Sequence, residues 1–301
     1  MSIRPIKRLI KAKPTIEGAG VHLRRAFGFG NTSDFDPFLL FDDFRNEKPE
    51  DFEAGFPWHP HRGIETITYV LSGEVDHGDS LGNVGVLGAG DVQWMTAGSG
   101  IIHQEMPRGD DQGRMHGFQL WANLPASQKM TGPRYQDVQA KDIPEVTEDD
   151  GTKVRVVCGN FWGVTGPVDG VAAEPQYLDV SVPPRTRRRL PVETTRHAFA
   201  YVFAGSGQFG NASEPQPVLT DPLGDIDTAQ PVLANNRSLV LFDQGDEVVV
   251  ESGDDGLRFL LVSGKPLREP VAWNGPIVMN TEAELRLAFD EYRAGTFLKH
   301  K

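Results

Sequence analysis

From Gly63 onward, short apolar runs rich in β-branched and aromatic residues alternate with polar, glycine-bearing turns, the pattern of β-strands. Glu65–Leu71, Val84–Leu87, Val92–Met95, Ile101–Met106 and Gly117–Leu124 read as strands, with Ser72-Gly73 and Ser80-Leu81-Gly82-Asn83 as turns. Upstream, the basic stretch 1–30 reads as a strand or two with a solvated face, and Gly28-Phe29-Gly30-Asn31 as a turn. Phe38-Leu39-Leu40-Phe41 followed by Asp42-Asp43 reads as a buried strand ending at a loop, and Asn46–Pro57 as an acidic loop. The pattern breaks over Pro125–Pro144 and resumes at Lys153–Gly159, Leu178–Val182, Ala198–Phe203 and Leu239–Phe242. Many short strands punctuated by glycine predict an all-β sandwich or barrel.

Tyr201-Val202-Phe203-Ala204-Gly205 repeats the character of Tyr69-Val70-Leu71-Ser72-Gly73 at an offset of 132 residues, which points to an internal duplication. Two domains follow, residues 1–130 and 131–301. Asn211–Asn236 is a long polar, proline-rich insertion, expected to be a mobile loop. Thr281-Glu282-Ala283-Glu284 is a capping-box sequence, so a short helix is expected there, with Leu285, Phe289 and Tyr292 on its packed face and Gly295 as its stop.

Composition narrows the setting. A net charge of -12 over 301 residues opposes non-specific attraction to nucleic acid or anionic membrane. No apolar run reaches the ~18 residues that span a bilayer, and the basic N-terminus lacks the apolar core of a secretory signal, so a cytoplasmic protein is expected. The single cysteine, Cys158, has no partner for an internal disulfide, and its neighbours Val156, Val157 and Trp162 mark it as a buried, inert thiol.

The candidate chemistry lies between Trp58 and Met106. Residues two apart in a strand share a face, so His59 and His61 can converge, and so can His103 and Glu105. Three imidazoles and one carboxylate suit a divalent transition metal, and a mixed shell with open positions suits non-haem iron that handles oxygen. Isolated surface histidines are the plainer reading, but two His-x-(His/Glu) pairs favour a site. Arg62-Gly63 stands where a zinc hydrolase of the metallo-β-lactamase type wants Asp-His. The other histidines, His22, His77, His116, His197 and His300, lack paired spacing and are expected to be structural or solvated; His116, between Met115 and Phe118, is the one placed to approach the pocket. The 132-residue offset puts Pro191 and Glu193 where His59 and His61 stand, so one metal site per chain is expected. Arg185, Arg187, Arg188 and Arg189 read either as a docking surface or, preferably, as charge protecting a strand edge.

The runs His59–Tyr69, Gly90–Gly98 and Gly100–Pro107, with Phe41–Phe44, Gly264–Leu267 and Gly275–Thr281, are similar to the pirin family of the cupin superfamily. The resemblance implies two tandem jelly-roll cupin barrels ending in a short helix, with a metal in the N-terminal barrel alone. It carries the ligand role to His59, His61, His103 and Glu105. Fe(II) is the first choice of metal, with Mn, Ni, Cu and Zn as alternatives. The general cupin pattern places a glutamate five residues after the second histidine, where this chain has Thr66; Glu65 has the opposite strand parity and should point away. The resemblance implies a dioxygenase that cleaves a flavonol, as quercetin 2,3-dioxygenase does, with O2 as co-substrate and Glu105 accepting the substrate's hydroxyl proton. The alternative it implies is a non-enzymatic, iron-binding redox sensor that regulates a protein partner.

Overall fold

The computed structural model describes residues 1–210, 212–214, 216–220 and 231–300, together with the backbone of 226–227. The chain is nearly all β, with a short C-terminal helix. Its two compact units are not contiguous in sequence. One comprises Met1–Ala12 and Ile143–Pro266, the other Lys13–Asp142 and Leu267–Lys301. The expected division into 1–130 and 131–301 is therefore corrected at three places: the junction lies at Asp142/Ile143, and each end of the chain belongs to the unit built mainly from the other half. Local patterning cannot register such an exchange, because it is set by distant contacts: Ile6–Lys11 pairs with Ser238–Phe242, and Arg62 bridges to Ile277 and bonds Phe297.

In the unit formed mainly by 13–142, a seven-stranded sheet runs in the order Arg134–Val138, Val92–Thr96, Ile64–Ser72, His116–Asn123, Phe38–Asp43, Val21–Phe27 and Lys13–Glu17. A four-stranded sheet runs in the order Phe56–His61, Ile101–Arg108, Glu74–Asp79 and Val84–Leu87. Ile101–Arg108 shows the alternation of a half-buried strand: Ile101, His103, Glu105 and Pro107 are buried, while Ile102, Gln104 and Met106 are partly exposed. Phe38–Phe41 is a buried strand as its apolar run predicted, but the strand continues through Asp42 and Asp43, which are buried rather than at a loop.

The segment after Pro266 closes this unit. Ala272–Asn274 and Ile277–Met279 form a hairpin, and Thr281 caps the helix Glu282–Arg293 with the full capping box that the sequence predicted. The packed face differs from the expected one: Leu285 and Ala288 are buried, Phe289 is partly buried, and Tyr292 is exposed, with its ring against Phe297. Two residues of the histidine motif hold this segment. Gly63 sits at φ +78°, and a Cβ there would stand 1.9 Å from the Val278 carbonyl oxygen, so only glycine lets the backbones approach. Arg62, buried, donates to the Ser99 carbonyl at 2.7 Å, Glu291 at 2.8 Å and the Phe297 carbonyl at 2.7 Å.

The unit formed by 1–12 and 143–266 is centred on Gln176–Val182, Glu247–Gly264, His197–Phe209 and Ser238–Phe242, with Ile6–Lys11 paired to the last. Val156, Leu178, Leu261, Ala200 and Val240 lie directly opposite one another across five strands, and all belong to one continuous apolar cluster. Burial at about 25 cal/mol per Å² of apolar surface makes such a row the main stabiliser of the unit. Arg187–Pro191 pairs with Glu247–Gly264 on its own, off the main strand path, and three of the clustered arginines are ion-paired: Arg185 to Asp254, Arg188 to Glu148 and Asp150, Arg189 to Glu247. That is the strand-edge arrangement. Cys158 is buried, with Sγ within 3.5 Å of the Val168 and Pro175 carbonyls. Within Asn211–Asn236, Val218–Thr220 and Val232–Asn235 are strands; positions 211, 215, 221–225 and 228–230 of the expected loop lie outside the described residues. Among the described residues, no helix is long and apolar enough to cross a membrane.

Candidate metal centre

His59 and His61 stand on the Phe56–His61 strand, and His103 lies directly opposite His59 on Ile101–Arg108. Strand parity and register together bring the three rings to one point, with ligand atoms all within 4.8 Å of one another. The hydrogen bonds settle the tautomers. His59 Nδ1 lies 2.9 Å from the Pro57 carbonyl and His61 Nδ1 lies 3.1 Å from the Pro276 carbonyl. A carbonyl only accepts, so each Nδ1 carries the proton and each Nε2 is left as a lone pair. Those two Nε2 atoms are 3.0 Å apart.

Burial lowers the basicity of all three imidazoles, those of His61 and His103 most, so extra protons do not relieve the facing lone pairs. His103 is buried with neither ring nitrogen hydrogen-bonded. Buried polar atoms are normally satisfied. Converging lone pairs and an unpartnered buried imidazole are what a cation bound between the rings would correct, so the residues present fit a transition metal. The Nδ1 bonds to backbone carbonyls are the outer support that metal-binding histidines use.

Glu105 is placed differently from the expected fourth ligand. It lines the same cavity, but it is not a member of the three-histidine cluster, and its Oε1 accepts from Thr68 Oγ1 at 3.1 Å. An irregularity in the strand pairing between His103 and Glu105 sets Glu105 opposite Phe56. Burial pushes its carboxyl up to about 7, against the opposing pull of the Thr68 hydrogen bond. Glu65 follows its parity: it is buried and accepts from Trp94 Nε1 at 3.1 Å and Thr96 Oγ1 at 2.8 Å, outside the cluster. His77 is buried and bonded to Gln93 at 3.0 Å, while His116 packs on Phe118 and does not line the cavity.

The cavity has a volume of about 990 Å³. Its aromatic wall runs outward from the cluster: His61 to Trp121 at 5.0 Å, Trp121 to Trp273 at 6.1 Å, Trp273 to Phe29 at 5.5 Å between ring centroids. Its polar wall holds Arg25, bidentate to Asp42 at 2.8 and 2.7 Å and bonded to Glu17 at 2.8 Å. Burial pushes Asp42 up to about 6 despite that pairing. Arg25, Asp42, Gln119, Thr68, Gln93 and Asp137 are directly opposite one another across six strands, a polar row in which Asp42, Thr68 and Gln93 are buried and Asp137, on the edge strand, is exposed. Sequence reasoning missed Thr68, Gln119, Trp273 and the Pro276 carbonyl. Gln119 and Trp121 share strand parity, a weak sign of a polar inward face; a backbone carbonyl leaves no sign at all.

A barrel whose interior gathers histidines beside an open cavity, followed by a second barrel, defines a two-domain cupin. The family models labelled Pirin, over residues 20–122, and Pirin C-terminal cupin domain, over residues 177–298, both match, and the chain belongs to the pirin family. A pirin-like protein of Caulobacter vibrioides is 42% identical over 298 residues, covering 99% of this chain and 100% of that protein. Human pirin is 36% identical, with 97% of this chain and 93% of the human protein covered. The crystal structure of a quercetin 2,3-dioxygenase from Acinetobacter baumannii superposes with a TM-score of 0.84 at 28% identity, covering 98% of this chain and 99% of that one.

Proposed function

We propose that this protein is a metal-dependent dioxygenase acting on a flat, flavonol-like polyphenol, with His59, His61 and His103 holding the metal and Glu105 serving as its adjacent carboxylate. The observation that carries the reading is the convergence of three neutral imidazoles, two of which, His59 and His61, line a cavity large enough for a three-ring aromatic. The likeness to a quercetin 2,3-dioxygenase structure supports a flavonol-like substrate. A bound metal supplies a Lewis acid and a template for substrate and O2; Fe(II) is the proposed ion.

The chain's own residues do the rest. Trp121, Trp273 and Phe29 offer aromatic faces and edges to a planar substrate. Glu105, raised towards neutrality by burial, takes the substrate's hydroxyl proton at Oε2, the oxygen that Thr68 leaves free.

The test is oxygen uptake by the iron-loaded protein with a panel of flavonols. His61→Ala is expected to lose both bound metal, read by elemental analysis, and flavonol-dependent uptake. Uptake that persists in the metal-free variant would overturn the reading.

A further inference from the structure

Thr68 stands at the centre of the polar row and is only 2% exposed. Its hydroxyl has one proton and two acceptors within reach, Glu105 Oε1 at 3.1 Å and Gln119 Oε1 at 3.0 Å. A hydroxyl donates to one of them at a time. The carboxylate is the stronger acceptor, so the hydroxyl favours Glu105 while Glu105 stays away from the histidines. When Glu105 turns to the cluster, the same proton can swing to Gln119, and no buried donor is orphaned. Glu105 thus has two supported positions, and the exchange costs the difference between a charge-assisted bond and a neutral one.

We propose that Thr68 is a positioning residue that competes with the metal for Glu105, and that Gln119 sets the terms of that competition by receiving the Thr68 proton when Glu105 leaves. The proposal rests on the metal-binding reading above, and it assigns roles to two side chains outside the ligand set. Because Gln119 also lines the cavity, a ligand that engages its amide oxygen would alter the ease with which Glu105 reaches the metal.

The two side chains should act with opposite sign. Thr68→Val keeps the shape and removes the donor, so Glu105 loses its alternative partner and metal affinity rises, about tenfold if one charge-assisted hydrogen bond is at stake. Gln119→Leu removes the resting place for the Thr68 proton, so recruiting Glu105 strands a buried hydroxyl and affinity falls by about as much. Thr68→Ser keeps the hydroxyl and should bind as wild type does. Replacing Glu105 by Gln in each background should erase both shifts.

The experiment titrates the full chain, stripped of metal, with Co(II), measures affinity by competition with a chelator, and reads coordination from the visible d–d absorption. Opposite shifts that vanish in the Glu105→Gln background support the proposal, as does a Thr68→Val spectrum moved towards higher coordination number. Unchanged affinity and spectrum in both variants, or shifts of the same sign, overturn it while leaving the metal site intact. Failure of the wild-type protein to bind Co(II) overturns the metal-binding reading itself. Should Thr68→Val not fold, the Gln119→Leu loss and its dependence on Glu105 decide the question.

Discussion

Two cross-strand rows of the same geometry are filled in opposite ways. In one unit Val156, Leu178, Leu261, Ala200 and Val240 line up inside a single apolar cluster. In the other, Arg25, Asp42, Gln119, Thr68, Gln93 and Asp137 occupy the row. The offset that aligns Tyr69 with Tyr201 sets Ala200 against Thr68, so the contrast turns on homologous positions of the proposed duplication. Buried polar groups cost free energy unless they are hydrogen-bonded. The buried members of the row are therefore held by hydrogen bonds, Asp42 to Arg25, Thr68 to Gln119 and Gln93 to Asp137, while the twin row is held by apolar contact.

The comparison can be broken or sharpened by substitution. The largest change is expected at Phe259→Ala, in the apolar unit, where a fully buried ring packed edge-on against Phe209 at 5.5 Å is lost; about 3–5 kcal/mol of stability should disappear, measured by denaturant unfolding. Ala200→Thr imports the hydroxyl of the polar row into the filled one. With no partner there and no room, it should cost about 2 kcal/mol in the same measurement, and a neutral result would mean that the apolar row tolerates what the polar row was built for.

Lys129 tests the histidine unit. Its buried ammonium form donates to the Gly63 carbonyl at 2.8 Å, Asn123 Oδ1 at 2.7 Å and the Val278 carbonyl at 3.0 Å, and burial pushes its pKa down to about 7 from the ordinary 10.5. Between those values the unfolded chain holds a proton that the folded chain lacks. Stability contributed at this site should therefore rise with pH over that window, by at most about 1.4 kcal/mol per pH unit, and Lys129→Met should flatten the slope. Smallest is Thr281→Ala, which removes the helix cap from the same unit and should cost about 1 kcal/mol in thermal unfolding.

The strands, the helix cap and the two histidine pairs could be read from local sequence because each depends on neighbours in the chain. Strand parity put His59 beside His61, and it correctly turned Glu65 away from the cluster. Parity also put Glu105 on the face of His103, but it gave no account of Thr68, which comes beside Glu105 only through the fold. The polar row was illegible for the same reason: Gln119, Thr68 and Gln93 are unremarkable in their own strands and become a feature only when register aligns them. The exchange of chain ends was hidden too, since Arg62 and Gly63 were read as flanks of the histidine motif and turn out to be the clamp for residues 276–297.

That clamp has a consequence for the order of events during synthesis. When a ribosome has released only the first 142 residues, all three imidazoles exist, but the carbonyl that fixes the His61 tautomer belongs to Pro276 and the outer aromatic wall needs Trp273. The nascent chain therefore cannot complete the three-histidine pocket until Pro276 has emerged, long after His103 has been made.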